Sequence, residues 1–167
     1  QTAQPQRKLD EAELLAGGYW LVPPAEGAEL AIVAQGAVLP EAMAAHAELA
    51  EDVPGIGLLV VSSADRLIHD WRSAGKGSHV AGLLAPLAPD AALVTVLDGH
   101  PATLAWLGSV RGQLVESLGV DRFGQSADIP DLYAVHGLDP LAIVDAAARA
   151  MVAKLSRSVI VNSGTTR

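Results

Sequence analysis

Cysteine is missing altogether from these 167 residues, and phenylalanine occurs once. The first absence excludes disulfides and thiolate metal sites, and is consistent with a reducing compartment. Aromatic residues are only 4% of the chain, and 11 basic residues face 19 acidic ones, for a formal net charge of −8. Binding to a phosphate backbone rests on clustered Lys and Arg, so a nucleic-acid partner is not expected. Long apolar runs are lacking too. The strongest, "GLLVVSS" and "AALVTVL", are far too short to cross a bilayer, and the opening "QTAQPQRKLDEAE" is not patterned as a secretory leader. The expectation is one acidic, cytoplasmic domain with no membrane segment.

What the chain does have is apolar residues, half of its composition and enough for a sizeable core. Three unalternating runs have strand length: Leu30 to Ala34, Leu58 to Val61 and Leu93 to Leu97. Such runs suit strands covered on both faces. Each ends in small or polar residues, Gln35-Gly36, Ser62-Ser63 and Asp98-Gly99-His100. Between the first two, "LPEAMAAHAELAED" predicts a helix from Leu39 with Pro40 in its first turn. "ATLAWLGSV" predicts a short helix after the third. Gln113 to Val120 alternates as an edge strand does, and Gly18 to Val22 reads as a further short strand halted by Pro23-Pro24. A last long helix opens with Asp139 as N-cap and Pro140, and carries Leu141, Val144, Ala148, Met151 and Leu155 on one 3-4-3-4 stripe. Strands alternating with helices imply a parallel sheet inside an α/β sandwich. Residues 1–12 are expected to be a flexible segment, 13–156 the domain and 157–167 a tail.

Self-sufficient chemistry is sparse. "SAGKGSH", Ser73 to His79, lacks the glycine spacing of a phosphate loop and is expected to be a mobile surface loop. The five histidines include no pair at the helical spacing of a zinc site. His46 falls inside a helix and His136 just before Gly137, a C-cap glycine, which suits structural or solvated roles for both. Asp98 and His100 follow a buried strand, where open α/β sheets bind ligands, although capping the next helix explains them equally well. No Gly-x-Ser-x-Gly elbow occurs.

The passage "GVDRFGQSADIPDLYAVHGLD", Gly119 to Asp139, concentrates polar residues around the lone Phe123. As local structure it reads as strand end, polar turn, helix, glycine stop and helix cap, with Phe123 anchoring the turn. The same passage resembles the signature late in the C-terminal domain of transketolase-like thiamine diphosphate enzymes. "LDEAELLAGGYWL" resembles the entry to that domain, and "AELAIVAQGAVLPEAMAAHAEL" its first strand, turn and helix. "VTVLDGHPATLAWLGSVRG" resembles the homodimeric decarboxylating component of pyruvate dehydrogenase complexes more than transketolase, whereas "SSADRLIHDW" departs from both.

The resemblance implies a three-layer α/β/α sandwich around a mostly parallel five-stranded sheet, with Gly18 to Val22 antiparallel. It implies that thiamine diphosphate and Mg²⁺ belong to other domains of a homodimeric parent enzyme, which passes its acyl group to an acyltransferase component. No catalytic, cofactor-binding or metal-binding residue of the family falls on these positions. If the strand order follows the family, Leu30 to Ala34 is central and a crevice opens beside it. Gln35 and Gly36 would line one side, and Asp98, Gly99 and His100 the other. Asp121, Phe123, Gly124 and Ser126 complete the candidate interface. The crevice suits a small anion or, as the favoured occupant, a neighbouring domain's loop. Other readings are a transketolase C-terminal domain and a free-standing binding or regulatory module on the same fold.

Overall fold

The computed structural model describes residues 11–121 and 129–163, with side chains from 11–121, 132–157. Five strands, β1 (Gly18–Val22), β2 (Ala28–Gln35), β3 (Gly57–Val61), β4 (Leu87–Leu97) and β5 (Leu114–Leu118), form one sheet in the order β1-β3-β2-β4-β5. β1 runs antiparallel to β3, and the other neighbours are parallel. The expected central strand, antiparallel first strand and edge position of β5 are all observed.

The unalternating runs have the expected cause. Leu30, Ile32 and Ala34 belong to a core on one face of the sheet, Ala31 and Val33 to a core on the other, and all five are fully buried. Burying each Leu or Ile contributes about 1.5–3 kcal/mol relative to leaving it exposed. Helices α2 (Leu39–Asp52) and α8 (Pro140–Ser163) cover the first face. The second face is covered by α3 (Ala64–Ala74), α4 (His79–Leu84) and the single turns α5 (Ala102–Ala105) and α6 (Gly108–Arg111). α1 (Glu11–Ala16) precedes β1, and α7 (Ile129–His136) precedes α8.

Three local expectations change. Ser73 to His79 is not a loop throughout, because it closes α3, makes a 3-10 turn at Gly75–Gly77 and opens α4. The Ser78 hydroxyl is buried and accepts the Ala81 N–H at 3.3 Å, and Asp70 accepts the His79 N–H at 2.7 Å. These bonds satisfy donors that a helix start leaves open. "ATLAWLGSV" makes two turns rather than one helix, and the second opens at Gly108, where a Cβ would meet Gln113 O and Val115 Cγ2, each at 2.7 Å. β5 is shorter than expected, Leu114–Leu118.

The long helix starts as expected, with Asp139 Oδ1 accepting the Ala142 N–H at 2.9 Å, and it runs on to Ser163. Its buried face, however, is Ile143, Ala146, Ala147 and Ala150. Of the 3-4-3-4 stripe only Val144 and Met151 touch the core, while Leu141, Ala148 and Leu155 face outward. Small alanines let α8 approach β4 and β5 closely, so the sheet takes the alanine face and leaves the larger side chains outside.

At the amino ends of the strands, Lys154 of α8 is buried, with Nζ 3.3 Å from Glu29 and 3.5 Å from Asp90. His46 bonds the Ile56 carbonyl at 3.0 Å, a structural role. Gly137, at φ +64°, ends α7 after His136 as expected.

Candidate functional site

The chain leaves β2 towards β3 through α2, and leaves β4 towards β5 on the opposite side. The crossovers therefore diverge between β2 and β4, a switch point of the kind that opens a crevice at strand carboxyl ends. Gln35 and Gly36 end β2 there, and Asp98, Gly99 and His100 follow β4.

Gly36 makes the turn at φ +85°, a region costly to residues with a Cβ, and a Cβ built on it would collide with the Asp98 carboxylate. Asp98 thus lies directly over the β2 turn, and its Oδ2 accepts the Ala37 N–H at 3.2 Å. His100 Nδ1 accepts the Ala102 N–H at 3.2 Å. His100 caps the turn after its own strand, as sequence allowed, whereas Asp98 reaches across to the other strand's turn.

The end of β5 is stitched to the same place. The Val120 N–H donates to the Gly99 carbonyl at 2.8 Å, and Gly119 packs so closely that a Cβ would meet Gly99 O at 2.5 Å and Pro101 N at 2.7 Å. Asp121 follows, exposed. Phe123, Gly124 and Ser126 lie outside the described residues.

Two residues that sequence reasoning missed complete the crevice. Glu41, in the first turn of α2, has Oε2 buried without a hydrogen-bond partner among the described residues, and Gln35 has Oε1 in the same condition. Tyr133 of α7 is partly buried, and its phenol is pushed above the ordinary value first by burial and then by the negative charges of Glu41 and Asp98. The signal for Glu41 was present but ambiguous, since an acid in a first helical turn ordinarily complements the helix dipole. Nothing in its local sequence linked Tyr133 to residues some ninety positions earlier.

Acceptors and negative charge dominate this site. Its unmet needs are for N–H donors or a cation, so it repels a small anion and does not fit a diphosphate. Among the described residues no three His, Cys, Asp or Glu side chains are grouped to hold a metal ion. No helix among them is long and apolar enough to cross a membrane.

A doubly wound sandwich with one reversed edge strand and a switch-point crevice defines an open α/β domain. The family model of the transketolase-like TK C-terminal domain matches residues 17–139, and the chain belongs to that family. Among curated proteins, no sequence matches the chain. Transketolase from Leishmania mexicana superposes with a TM-score of 0.63 at 18% identity, covering 87% of this chain and 19% of its own. A transketolase variant from Pichia stipitis, solved with fructose 6-phosphate, gives a TM-score of 0.63 at 22% identity, covering 84% of this chain and 19% of its own. A split-gene transketolase described as an inactive "beta4" tetramer gives 0.57 at 20% identity, covering 83% of this chain and 43% of its own. At these identities the likeness is one of fold. The chain spans about a fifth of the length of the first two relatives and less than half of the third.

Proposed function

We propose that this chain serves as the C-terminal domain of a thiamine diphosphate-dependent 2-oxo acid dehydrogenase of the pyruvate dehydrogenase type. In that reading the whole enzyme is a cytoplasmic homodimer that decarboxylates a 2-oxo acid and passes the acyl group, through lipoamide, to an acyltransferase component. Thiamine diphosphate and Mg²⁺ are held by its other domains. This domain supplies scaffold and contacts, and its switch-point crevice receives a donor-bearing loop from a neighbouring domain. The observation that carries the reading is the segment Val94 to Gly112, "VTVLDGHPATLAWLGSVRG", within a chain of this family. The acceptor-rich crevice supports a docking role over a phosphate-binding one.

A second reading, the C-terminal domain of a transketolase, is favoured by the solved structures, which are transketolases. The two readings part on substrate. The assembled enzyme, offered pyruvate with lipoamide or a pair of sugar phosphates, should acylate lipoamide; ketol transfer between sugars would overturn the first reading in favour of the second. The scaffold role has its own test in the assembled enzyme. Asp98→Ala with His100→Ala should weaken domain or subunit assembly more than single-turnover decarboxylation. A hundredfold loss of the chemical step with assembly intact, about 2.7 kcal/mol of barrier, would reject it. The isolated chain should give no calorimetric signal with thiamine diphosphate and Mg²⁺, and micromolar binding would count against the assignment of cofactor sites to other domains.

A further inference from the structure

Two basic residues of this acidic chain sit beside glycines: Lys76 between Gly75 and Gly77, and Arg111 directly before Gly112. Gly75 at φ +53° and Gly112 at φ +78° adopt backbone conformations costly to any residue with a Cβ. The first turn places exposed Lys76 just before α4, and the second ends α6 at Arg111. A Cβ on Gly75, Gly77 or Gly112 would meet nothing within 4 Å, so close packing does not demand these glycines. They set the backbone path that presents the two cations.

Both side chains border one groove, open to solvent, with a volume of about 490 Å³. Its other lining residues are Ala81, Ala85, Pro89 and Val110. Ala81 of α4 and Ala85, its C-cap, are four residues apart and share one side, giving an apolar floor. Arg111 Nη1 donates to the Leu84 carbonyl at 2.7 Å, at the C-terminal end of α4. That bond fixes the guanidinium, whose other N–H groups have no partner among the described residues. Lys76, near the N-terminal end of the same helix, has no ion pair or hydrogen bond among them either. Carboxylates of the adjoining segments are engaged elsewhere. Asp70 Oδ2 accepts the His79 N–H at 2.7 Å, and Asp90, next to Pro89, lies 3.5 Å from Lys154 of α8. In a chain of net charge −8, a groove lined by two cations and no carboxylate is an exception.

We infer that this groove binds an aliphatic dicarboxylate, with its anionic ends on Lys76 and Arg111 and its hydrocarbon body on the Ala81–Ala85 floor. The cations flank the two ends of α4, whose six residues measure about 9 Å, the span of an extended chain of about eight carbons. The groove's volume falls among small-molecule sites, about 300–1,000 Å³. Arg111 offers one carboxylate a planar fork of donors held in advance, and Lys76 offers the other a point charge on a flexible stem. A polyphosphate would leave the apolar floor uncovered. The groove lies towards the amino ends of β4 and β5, away from the switch-point crevice at their carboxyl ends.

Octanedioate titrated into the isotope-labelled 167-residue chain at low salt should shift the amide resonances of Lys76, Ala81, Val110 and Arg111. The dissociation constant should be about 1 mM or tighter, and no saturable shift up to about 20 mM overturns the inference. Saturable shifts centred on Gly36 and Gly99 would place the anion in the crevice and overturn it as well. Butanedioate is too short to reach both cations and octanoate has a single charge, so each should bind about fivefold more weakly. Equal affinity for octanoate would mean that the two cations do not act together, and overturns the bridging. Lys76→Ala, in an exposed turn, should bring octanedioate to the affinity of octanoate with the thermal melt unchanged; an unchanged affinity counts against the site. Ala85→Leu fills the floor and keeps both cations, so it should abolish binding of both ligands. Binding that survives it would overturn the placement of the hydrocarbon body.

Discussion

At the amino ends of β2 and β4 a buried ammonium lies between two carboxylates, while at the carboxyl ends of the same region a buried amide oxygen and a buried carboxylate oxygen have no donor among the described residues. Both arrangements place polar groups against the same apolar sheet. At one end the sequence supplies the matching charges from three elements, although Gln113, whose Nε2 donates to the Ala88 carbonyl at 3.2 Å, keeps a buried Oε1 without a partner among the described residues. At the other, each unmet acceptor costs about 1–3 kcal/mol. Two of the three buried acceptors without a partner among the described residues lie at the switch point, so a donor arriving from outside has most to satisfy there.

Substitutions at either end break or sharpen that contrast. The largest effect is expected at the amino end. Glu29→Gln with Asp90→Asn takes both of these carboxylates from the buried Lys154 ammonium and should cost about 3 kcal/mol in denaturant unfolding. Lys154→Met, by contrast, should be nearly neutral, since its stem packing is kept and the two carboxylates are exposed to water. Next, Gly36→Ala should cost about 2 kcal/mol through its positive φ and the collision with Asp98. Adding Asp98→Ala should recover part of that loss in a double-mutant cycle, and strict additivity would mean the two residues do not touch. Gln35→Met should stabilise the isolated chain by about 1 kcal/mol, because it removes an unmet acceptor. If it destabilises instead, the amide already has a donor and the contrast between the two ends fails.

The smallest effect concerns pH. The Tyr133 phenol holds its proton more tightly folded than unfolded, so its contribution is intact below the ordinary phenol value of about 10 and is lost as pH rises through the folded value. Tyr133→Phe should therefore flatten the alkaline limb of the stability curve. Glu41→Gln should bring the phenol titration down towards the ordinary value, as followed by phenolate absorbance.

Much of the fold was legible because its signals were local. Three apolar runs marked the buried strands, Pro40 and Asp139 marked helix starts, and Pro23-Pro24 marked the end of β1. α3 and α4 were not legible, because their caps, Ser63 and Ser78, sit in small polar stretches that read equally well as turns. The stripe on α8 was legible as apolar, but periodicity reports a face and not which neighbour claims it, and the sheet takes the alanine face instead. In the candidate site the strand-end residues Gln35, Gly36, Asp98, Gly99 and His100 followed from the strand order. Glu41 and Tyr133 did not, because their significance arises only when α2 and α7 converge on the crevice.

The placement of the aromatic residues decides what optical measurements on this protein can see. All three tryptophans, Trp20, Trp71 and Trp106, belong to the core on the α3–α4 face of the sheet, either buried in it or packed against it. The opposite layer, with α2 and α8, has no tryptophan and reports through Tyr133. Indole emission is thus blind to a local loosening of the α2–α8 layer. If that layer opens below the global transition, tyrosine absorbance and far-ultraviolet dichroism will change before tryptophan emission does, and a single-probe melt by emission would record a two-state transition that only half the molecule obeys.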